Sequence, residues 1–163
     1  GEVGFAPYAL PGSALLGERI AEVFAAGPSC VMLENHGVVV GGADFEQAFT
    51  RFETLEFTAK TLIKAAAVGG AGMLEPFDLE LARSRKAPAG SFAPGPATSA
   101  ERALRAELCD FVRRGYKQRL LISSQGTFSA RLDEQSFLMT PAGVDRARLR
   151  PEELVLVRDG LVE

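Results

Sequence analysis

The clearest pattern along the chain is a series of apolar positions at helical spacing between residues 44 and 66. Asp44 is a good helix-capping residue, and Gln47 three positions later completes a capping box, so we expect the helix to begin there. Because one face of this helix is almost wholly apolar, we expect that face to pack in the core. The face consists of Phe45, Ala48, Phe49, Phe52, Leu55, Ala59, Leu62 and Ile63.

Shorter elements precede this helix. Ser13 is a capping residue, and the apolar positions after it predict a helix that ends near Ala26. The β-branched runs Cys30–Leu33 and Gly37–Val40 then predict two strands, joined by a short turn that contains His36. We interpret Cys30 as a buried strand residue.

The last third of the chain has a pattern of its own. Thr98 and Glu101 form a second capping box and predict a helix that ends at Gly115. Short strands and turns follow, with a helical turn near 146–149 and a turn at 159–160. The predicted strands are 120–122, 127–131, 137–140 and 154–158, with a hairpin turn at 133–136.

The segment between these regions differs in composition. Glycines at 69–72 end the long helix, and 77–85 predicts a short exposed helix. Residues 87–96 are rich in Pro, Gly and Ala and predict little regular structure. We therefore divide the chain into a first unit at 1–70, a linker at 71–97 and a second unit at 98–163.

Composition limits the possible functions. The chain has 163 residues and a net charge of −3, with scattered basic residues, so we expect no nucleic-acid partner. Its apolar runs are too short to span a membrane. It opens at Gly1 without a secretory signal, which indicates a processed chain or a fragment. Two cysteines make no disulfide framework, so we expect a reduced, cytoplasmic setting, with Cys109 packed inside its helix.

The first unit carries an ordered set of motifs. Tyr8-Ala9-Leu10-Pro11-Gly12-Ser13 is followed by a helix, then by Glu34-Asn35-His36-Gly37 between two strands, then by the long helix. This set resembles the C-terminal half of a class II aldolase/adducin domain. In that family the Asn-His-Gly corner supplies one of three histidines that bind a catalytic zinc ion, and the resemblance assigns His36 as a metal ligand. The alternative is an ordinary loop histidine.

The second unit is similar to the N-terminal half of the same family's domain. Its motifs are Gly126–Arg131, Thr140-Pro141-Ala142-Gly143 and Leu149–Val157. The resemblance implies a sugar-phosphate cradle formed by Gly126, Thr127, Ala142 and Gly143. Thr127 stands where the family has Asn, and Ala142 where it has Ser or Thr, so one hydroxyl is lost. The alternative is that these are simple turn glycines.

The two halves stand in the reverse of the family's order. A tandem protein, of which this chain holds the end of one domain and the start of the next, is one explanation, and a circular permutant is another. The segment that joins the halves in the family carries the catalytic Glu and a His-x-His pair, and this chain lacks it. Because a catalytic zinc ion takes three protein ligands, we expect no active aldolase from this chain alone.

The resemblance implies an α/β fold with three αβα layers and a mostly antiparallel sheet flanked by helices, incomplete in this chain. It also implies a zinc-dependent aldehyde lyase or epimerase that acts on small phosphorylated sugars. An adducin-like, non-catalytic association module is the alternative. The family commonly forms tetramers, so a homo-oligomer is the inherited expectation.

Overall fold

The computed structural model describes residues 3–84 and 90–163. The chain divides into two compact units, Gly1–Thr61 and Leu62–Glu163, and the boundary falls inside the helix predicted at 44–66. Residues 85–89, which belong to the predicted linker at 71–97, lie outside the described residues. Among the helices of the described part, none has the length and apolar character to cross a membrane.

The first unit contains a three-stranded sheet covered by a helix. Strands β1 (Val3–Ala6) and β2 (Cys30–Leu33) are parallel, whereas β3 (Gly37–Val40) is antiparallel to β2. Helix α1 (Ala14–Ala25) contacts β1 and β2, as expected for the crossover between parallel strands. The core of this unit consists of Ala6, Val31 and Leu33, with Ile20, Val23, Phe24 and Val39 packed against them.

The predictions for α1, β2 and β3 are confirmed, and β1 was missed. The side-chain oxygen of Ser13 accepts a hydrogen bond from the Leu16 N–H at 3.2 Å, which is the predicted cap. β1 has only four residues and contains Gly4, so its sequence carries no strand pattern. A Cβ atom at Gly4 would lie 2.1 Å from Val23 Cγ1, so this glycine permits the close approach of α1.

Helix α2 (Phe45–Ala66) begins and ends where the sequence predicts. Asp44 Oδ1 accepts from the Gln47 N–H at 2.7 Å, and Gln47 Oε1 accepts from the Ala43 N–H at 3.0 Å. The first bond satisfies a donor that the first turn of a helix leaves unpaired, and the second ties the residue before the cap to that turn. At the other end, the Gly70 N–H donates to the carbonyl oxygen of Ala65 at 2.8 Å.

The prediction that the apolar face of α2 forms core is wrong. None of the residues of α2, all of which are described, is buried, and Phe45 and Phe49 are 96% and 56% exposed. The physical reason is that the side of α2 that lines a cavity with the sheet carries Thr50, Thr54 and Thr58, so the phenylalanines lie on another face of the helix.

The second unit is built on a four-stranded sheet in which every neighbouring pair is antiparallel. The strand order follows the chain, so the sheet is a simple meander. Its elements are α3 (Pro76–Ser84), α4 (Ser99–Lys117), β4 (Ser129–Arg131), β5 (Ser136–Met139), a 3₁₀ turn (Pro151–Glu153), β6 (Val155–Arg158) and β7 (Leu161–Val162). Its core consists of Leu108, Cys109, Val112, Leu138, Leu149, Leu154 and Leu156.

Two local predictions for this unit differ from the structure. Residues 120–122 do not form a strand, because Arg119 and Ser123 on either side have left-handed φ values of 60° and 49°. Helix α4 continues to Lys117, past the predicted end at Gly115. Gly115 instead leaves room for Leu121, whose Cδ1 would lie 3.3 Å from an added Cβ.

The end of the predicted linker also takes part in the second unit. Ser91 forms a bridge with Val162 of β7, and the Phe92 N–H donates to the Val162 carbonyl oxygen at 3.0 Å. The Phe92 ring packs against the core of this unit and lies 5.5 Å from the guanidinium carbon of Arg158. The chain is thus α/β with largely antiparallel strands, and its predicted three-layer arrangement stays a prediction.

Arg105 connects α4 to the C-terminal part of the second unit. Its guanidinium donates to Glu101 Oε1 at 2.8 Å and to Glu163 Oε1 at 2.9 Å, and also to the backbone oxygens of Leu154 and Pro151. Thr98 caps α4 as predicted, but the Glu101 carboxylate pairs with Arg105. Burial by itself would lower the pKa of Arg105, but the hydrogen bonds to Glu163 and Glu101 outweigh it and raise the pKa.

We expect Arg105→Met to destabilise the second unit by about 3–5 kcal/mol, because it leaves two largely buried carboxylates without their cation. The matched control is Arg113→Met on the same helix, which removes an exposed ion pair to Asp110 and should cost about 0–1 kcal/mol. Urea unfolding followed by the amide signals of β5 and β6 measures both. Equal losses in the two variants would contradict the assignment of Arg105.

Candidate functional site

The β4–β5 hairpin brings the four predicted phosphate-binding residues together. Ser129 pairs with Met139, and the register continues to the next pair, where the Thr140 N–H donates to the Phe128 oxygen at 3.0 Å. The Phe128 N–H in turn donates to Thr140 Oγ1 at 3.1 Å. The residues just before β4 therefore lie beside those just after β5. These residues are Gly126 and Thr127 on one side and Ala142 and Gly143 on the other.

Two glycines at this end of the hairpin require the left-handed backbone region. Gly126 has a φ of 83° and Gly143 a φ of 77°. A Cβ atom at Gly126 would lie 2.8 Å from Leu121 Cδ2, so the Leu121 side chain would have to move to admit a substitution there. At Gly143 nothing lies within 4 Å of an added Cβ, so only the backbone conformation disfavours a substitution there.

These loops line a cavity of about 340 Å³. Thr127 and Ala142 are both among the residues that line it. Ala142 offers no hydroxyl, but the buried Thr140 hydroxyl lies at the same cavity. Other lining residues were not assigned to phosphate binding from the sequence, although Thr140 and Pro141 belong to the motif quoted above. They are Ser124, Gln125, Met139, Thr140, Pro141 and Arg146.

Backbone donors at the cavity are available to a ligand. Within residues 3–84 and 90–163, no hydrogen-bond acceptor is described for the N–H groups of Gly126, Thr127, Ala142 and Gly143. Backbone N–H groups are obligatory donors that take water, a protein acceptor or a ligand. Several such donors around one concave surface form the kind of site that binds phosphate oxygens.

His36 lies on the β2–β3 turn, at the end of the sheet in the first unit. Asn35 has a left-handed φ of 54°, which Asn tolerates, and the His36 N–H donates to the Leu33 oxygen at 3.1 Å. The imidazole is exposed. The neighbouring Glu34 fixes the loop after β1, because its Oε2 accepts from the Tyr8 N–H at 2.8 Å.

The residues around His36 do not fit a catalytic zinc ion. The chain has one histidine, and the described residues contain no group of three or more His, Cys, Asp or Glu side chains arranged to hold a metal ion. A catalytic zinc site takes three protein ligands and one open position. The assignment of His36 as a metal ligand therefore stays a prediction that needs ligands from elsewhere.

Both cysteines pack in the interior, which confirms their interpretation from the sequence. Cys30 is buried in β2 opposite Val40, and Cys109 is fully buried in α4. Burial raises the pKa of the Cys109 thiol, although the charge of Arg113 opposes this in part. A neutral, enclosed thiol is a poor nucleophile and a poor metal ligand.

A second cavity lies in the first unit, between α2 and the start of the sheet, and it was not predicted. Arg51 at its wall donates to the Gly41 oxygen at 2.6 Å. The face of α2 that lines this cavity carries hydroxyl groups, so the phenylalanines lie on another face of the helix. The lining residues are Val3, Ser29, Cys30, Thr50, Arg51, Thr54, Leu55 and Thr58.

The chain matches a known protein family. The family described as the class II aldolase and adducin N-terminal domain matches residues 1–63 and 106–163. These two segments make up more than half of the chain, so the chain belongs to the class II aldolase and adducin family. Comparison with curated proteins and with solved structures gave no match.

We expect the isolated chain to show no tight stoichiometric zinc site in a calorimetric titration, because residues 3–84 and 90–163 place no partner ligands at His36. His36→Ala should leave the titration curve unchanged. Sub-micromolar zinc binding that disappears in His36→Ala would contradict this expectation and would reveal ligands that the structure does not bring together.

Proposed function

We propose that the second unit binds the phosphate group of a small phosphorylated sugar in the cavity between Gly126 and Gly143. The observation that carries this proposal is the set of four neighbouring N–H groups without an acceptor in the described residues. A phosphate monoester has several acceptor oxygens. It can therefore be bound by backbone N–H donors alone, without an aromatic side chain. The cavity has the size of a small-molecule site.

We further propose that the chain contributes to class II aldolase-type chemistry as a lyase or epimerase component. In this role the cavity binds and orients the phosphate end of the substrate. The reacting carbons are then held at a defined distance from the cavity. His36 is the only histidine of the chain, so a zinc ion there would need further ligands from outside the described residues. Because the ligand set in this chain is insufficient, we expect no carbon–carbon bond cleavage by the chain alone.

The test of phosphate binding uses two glycines with the same backbone strain. Gly143 and Gly160 have φ values of 77° and 78°, and in the described part of the chain no atom lies within 4 Å of a Cβ added at either position. Alanine at either position therefore costs about 1–2 kcal/mol through the left-handed backbone. Only Gly143 lines the cavity, whereas Gly160 lies in the β6–β7 turn.

We expect the unmodified chain and Gly160→Ala to bind a ketose phosphate, and Gly143→Ala to bind it at least about tenfold more weakly, because a shifted loop loses charge-assisted hydrogen bonds. The same ketose without phosphate should bind to none of the three. Isothermal titration calorimetry on the three proteins measures this. Equal affinity of Gly143→Ala and Gly160→Ala, or binding of the neutral sugar, would refute the proposed function.

A further inference from the structure

Arg146 is a buried cation at the wall of the cavity. Only 2% of its surface is exposed to solvent. Its Nε and Nη2 groups donate to the Gly126 oxygen at 3.3 and 2.9 Å, and its Nη1 group donates to the Val144 oxygen at 3.0 Å. Its own backbone N–H donates to the Ser123 oxygen at 2.9 Å. The side chain thus connects the loop before β4 to the loop after β5.

The carbonyl contacts do not neutralise the charge of Arg146. Within the described residues, no carboxylate forms an ion pair with it, and Oδ1 of the adjacent Asp145 accepts from the Ala147 N–H instead. Burial lowers the pKa of Arg146, and the charge of Asp145 opposes this only in part. A guanidinium withdrawn from water without a counter-charge is costly, so such groups are normally paired.

Arg105 in the same unit shows the usual arrangement. It is 9% exposed, and two carboxylates, from Glu101 and Glu163, lie within 3 Å of its guanidinium nitrogens. Arg146 is more deeply buried and has no such partner among residues 3–84 and 90–163. The two arginines also differ in their position. Arg146 lines the cavity, whereas Arg105 is not among the residues that line it.

The guanidinium also has donors to spare. A guanidinium carries five N–H groups, and the described hydrogen bonds of Arg146 to the two carbonyl oxygens use three of them. Arg146, Gly126 and Gly143 line the same cavity, so an anion there would lie close to the guanidinium charge and to the backbone of both glycine loops. Arginine suits phosphate especially well, since its planar fork matches two phosphate oxygens.

We propose that Arg146 is the charge-bearing residue of this cavity, which clamps the two glycine loops through their carbonyl oxygens and pairs with the dianionic phosphate of the ligand. The proposal rests on the proposed function, and it adds a selectivity for charge that backbone donors alone do not supply. A dianion gains more from a buried cation than a monoanion of similar shape does. Neutralising Arg146 should therefore remove this selectivity, and not only weaken binding.

The experiment compares methyl phosphate, a dianion at pH 8, with dimethyl phosphate, a monoanion at the same pH. Calorimetric titrations are run on the full chain and on Arg146→Gln, Arg146→Lys and Arg148→Gln. Glutamine can still donate to a carbonyl oxygen, whereas lysine keeps the charge without the planar fork. Arg148 lies on the same turn but is exposed and does not line the cavity, so it is the matched control.

We expect the unmodified chain and Arg148→Gln to prefer methyl phosphate by at least about tenfold. Arg146→Gln should lower this preference to about twofold or less, and Arg146→Lys should retain it with a weaker affinity for both ligands. Circular dichroism establishes that each variant is folded. If Arg146→Gln does not fold, the preference of Arg146→Lys decides the matter.

The outcomes separate the two proposals. If the unmodified chain binds neither ligand, the proposed function fails, and the role of Arg146 fails with it. If the unmodified chain binds methyl phosphate but Arg146→Gln keeps its preference for the dianion, only the role of Arg146 is refuted. An equal loss in Arg148→Gln, or a folded Arg146→Lys without the preference, would refute it as well.

Discussion

The second unit depends on how it accommodates buried positive charge. A guanidinium inside a small domain has to be matched by acceptors, because the cost of removing it from water is several kcal/mol. Arg105 is matched by Glu101 and Glu163, and the resulting cluster holds α4 against the end of the sheet. Leu156 joins the same cluster, since its N–H donates to Glu163 Oε1 at 2.8 Å. Arg105, with its charge paired, therefore connects α4, the end of the sheet and the C-terminal residue of this unit.

Arg146 uses the same chemistry for a different purpose. Its carbonyl contacts hold two loops at one end of the β4–β5 hairpin, and its charge stays without a carboxylate partner among the described residues. A rigid hairpin register, two left-handed glycines and a buried cation together define a concave surface of donors. Such a surface is preorganised, so an anion that binds there loses little to reorganisation of the protein. The catalytic metal of the family would require more histidines than the one that this chain has.

Much of the fold could be predicted from local signals. The caps at Ser13 and Thr98 and the β-branched runs of β2 and β3 identify elements that the structure contains. Strand β1 was missed because four residues with one glycine carry no periodicity. Residues 120–122 were predicted as a strand from their apolar character. They do not form one because Arg119 and Ser123 adopt left-handed backbone conformations, which residue propensities do not reveal. The helical spacing of α2 identified its apolar face. It could not predict whether that face is buried, and in the structure the face is largely exposed.

The candidate site divides in a similar way. The glycine motifs at 126 and 143 were visible in the sequence, and the hairpin brings them together as a turn at 133–136 predicts. Arg146 carried no sequence signal, because an isolated arginine in a loop is usually solvated. Its proposed role follows from its burial and from the lack of a carboxylate partner among the described residues, which only the three-dimensional arrangement reveals. The reverse case is His36, which has a family motif but no neighbouring ligands among the described residues.

The proposed anion site consists of one cavity with its backbone donors and Arg146. Its most direct test is a titration of the ¹⁵N-labelled chain with a phosphate monoester, followed by backbone amide and arginine Nε–H shifts. We expect the signals of Gly126, Thr127, Ala142, Gly143 and the Arg146 Nε–H to move together with one dissociation constant, while the amides of the His36 turn stay in place. The proposal would be contradicted by shifts that are largest at the β2–β3 turn, that scatter over exposed lysines and arginines, or that leave the cavity signals unchanged at saturating ligand.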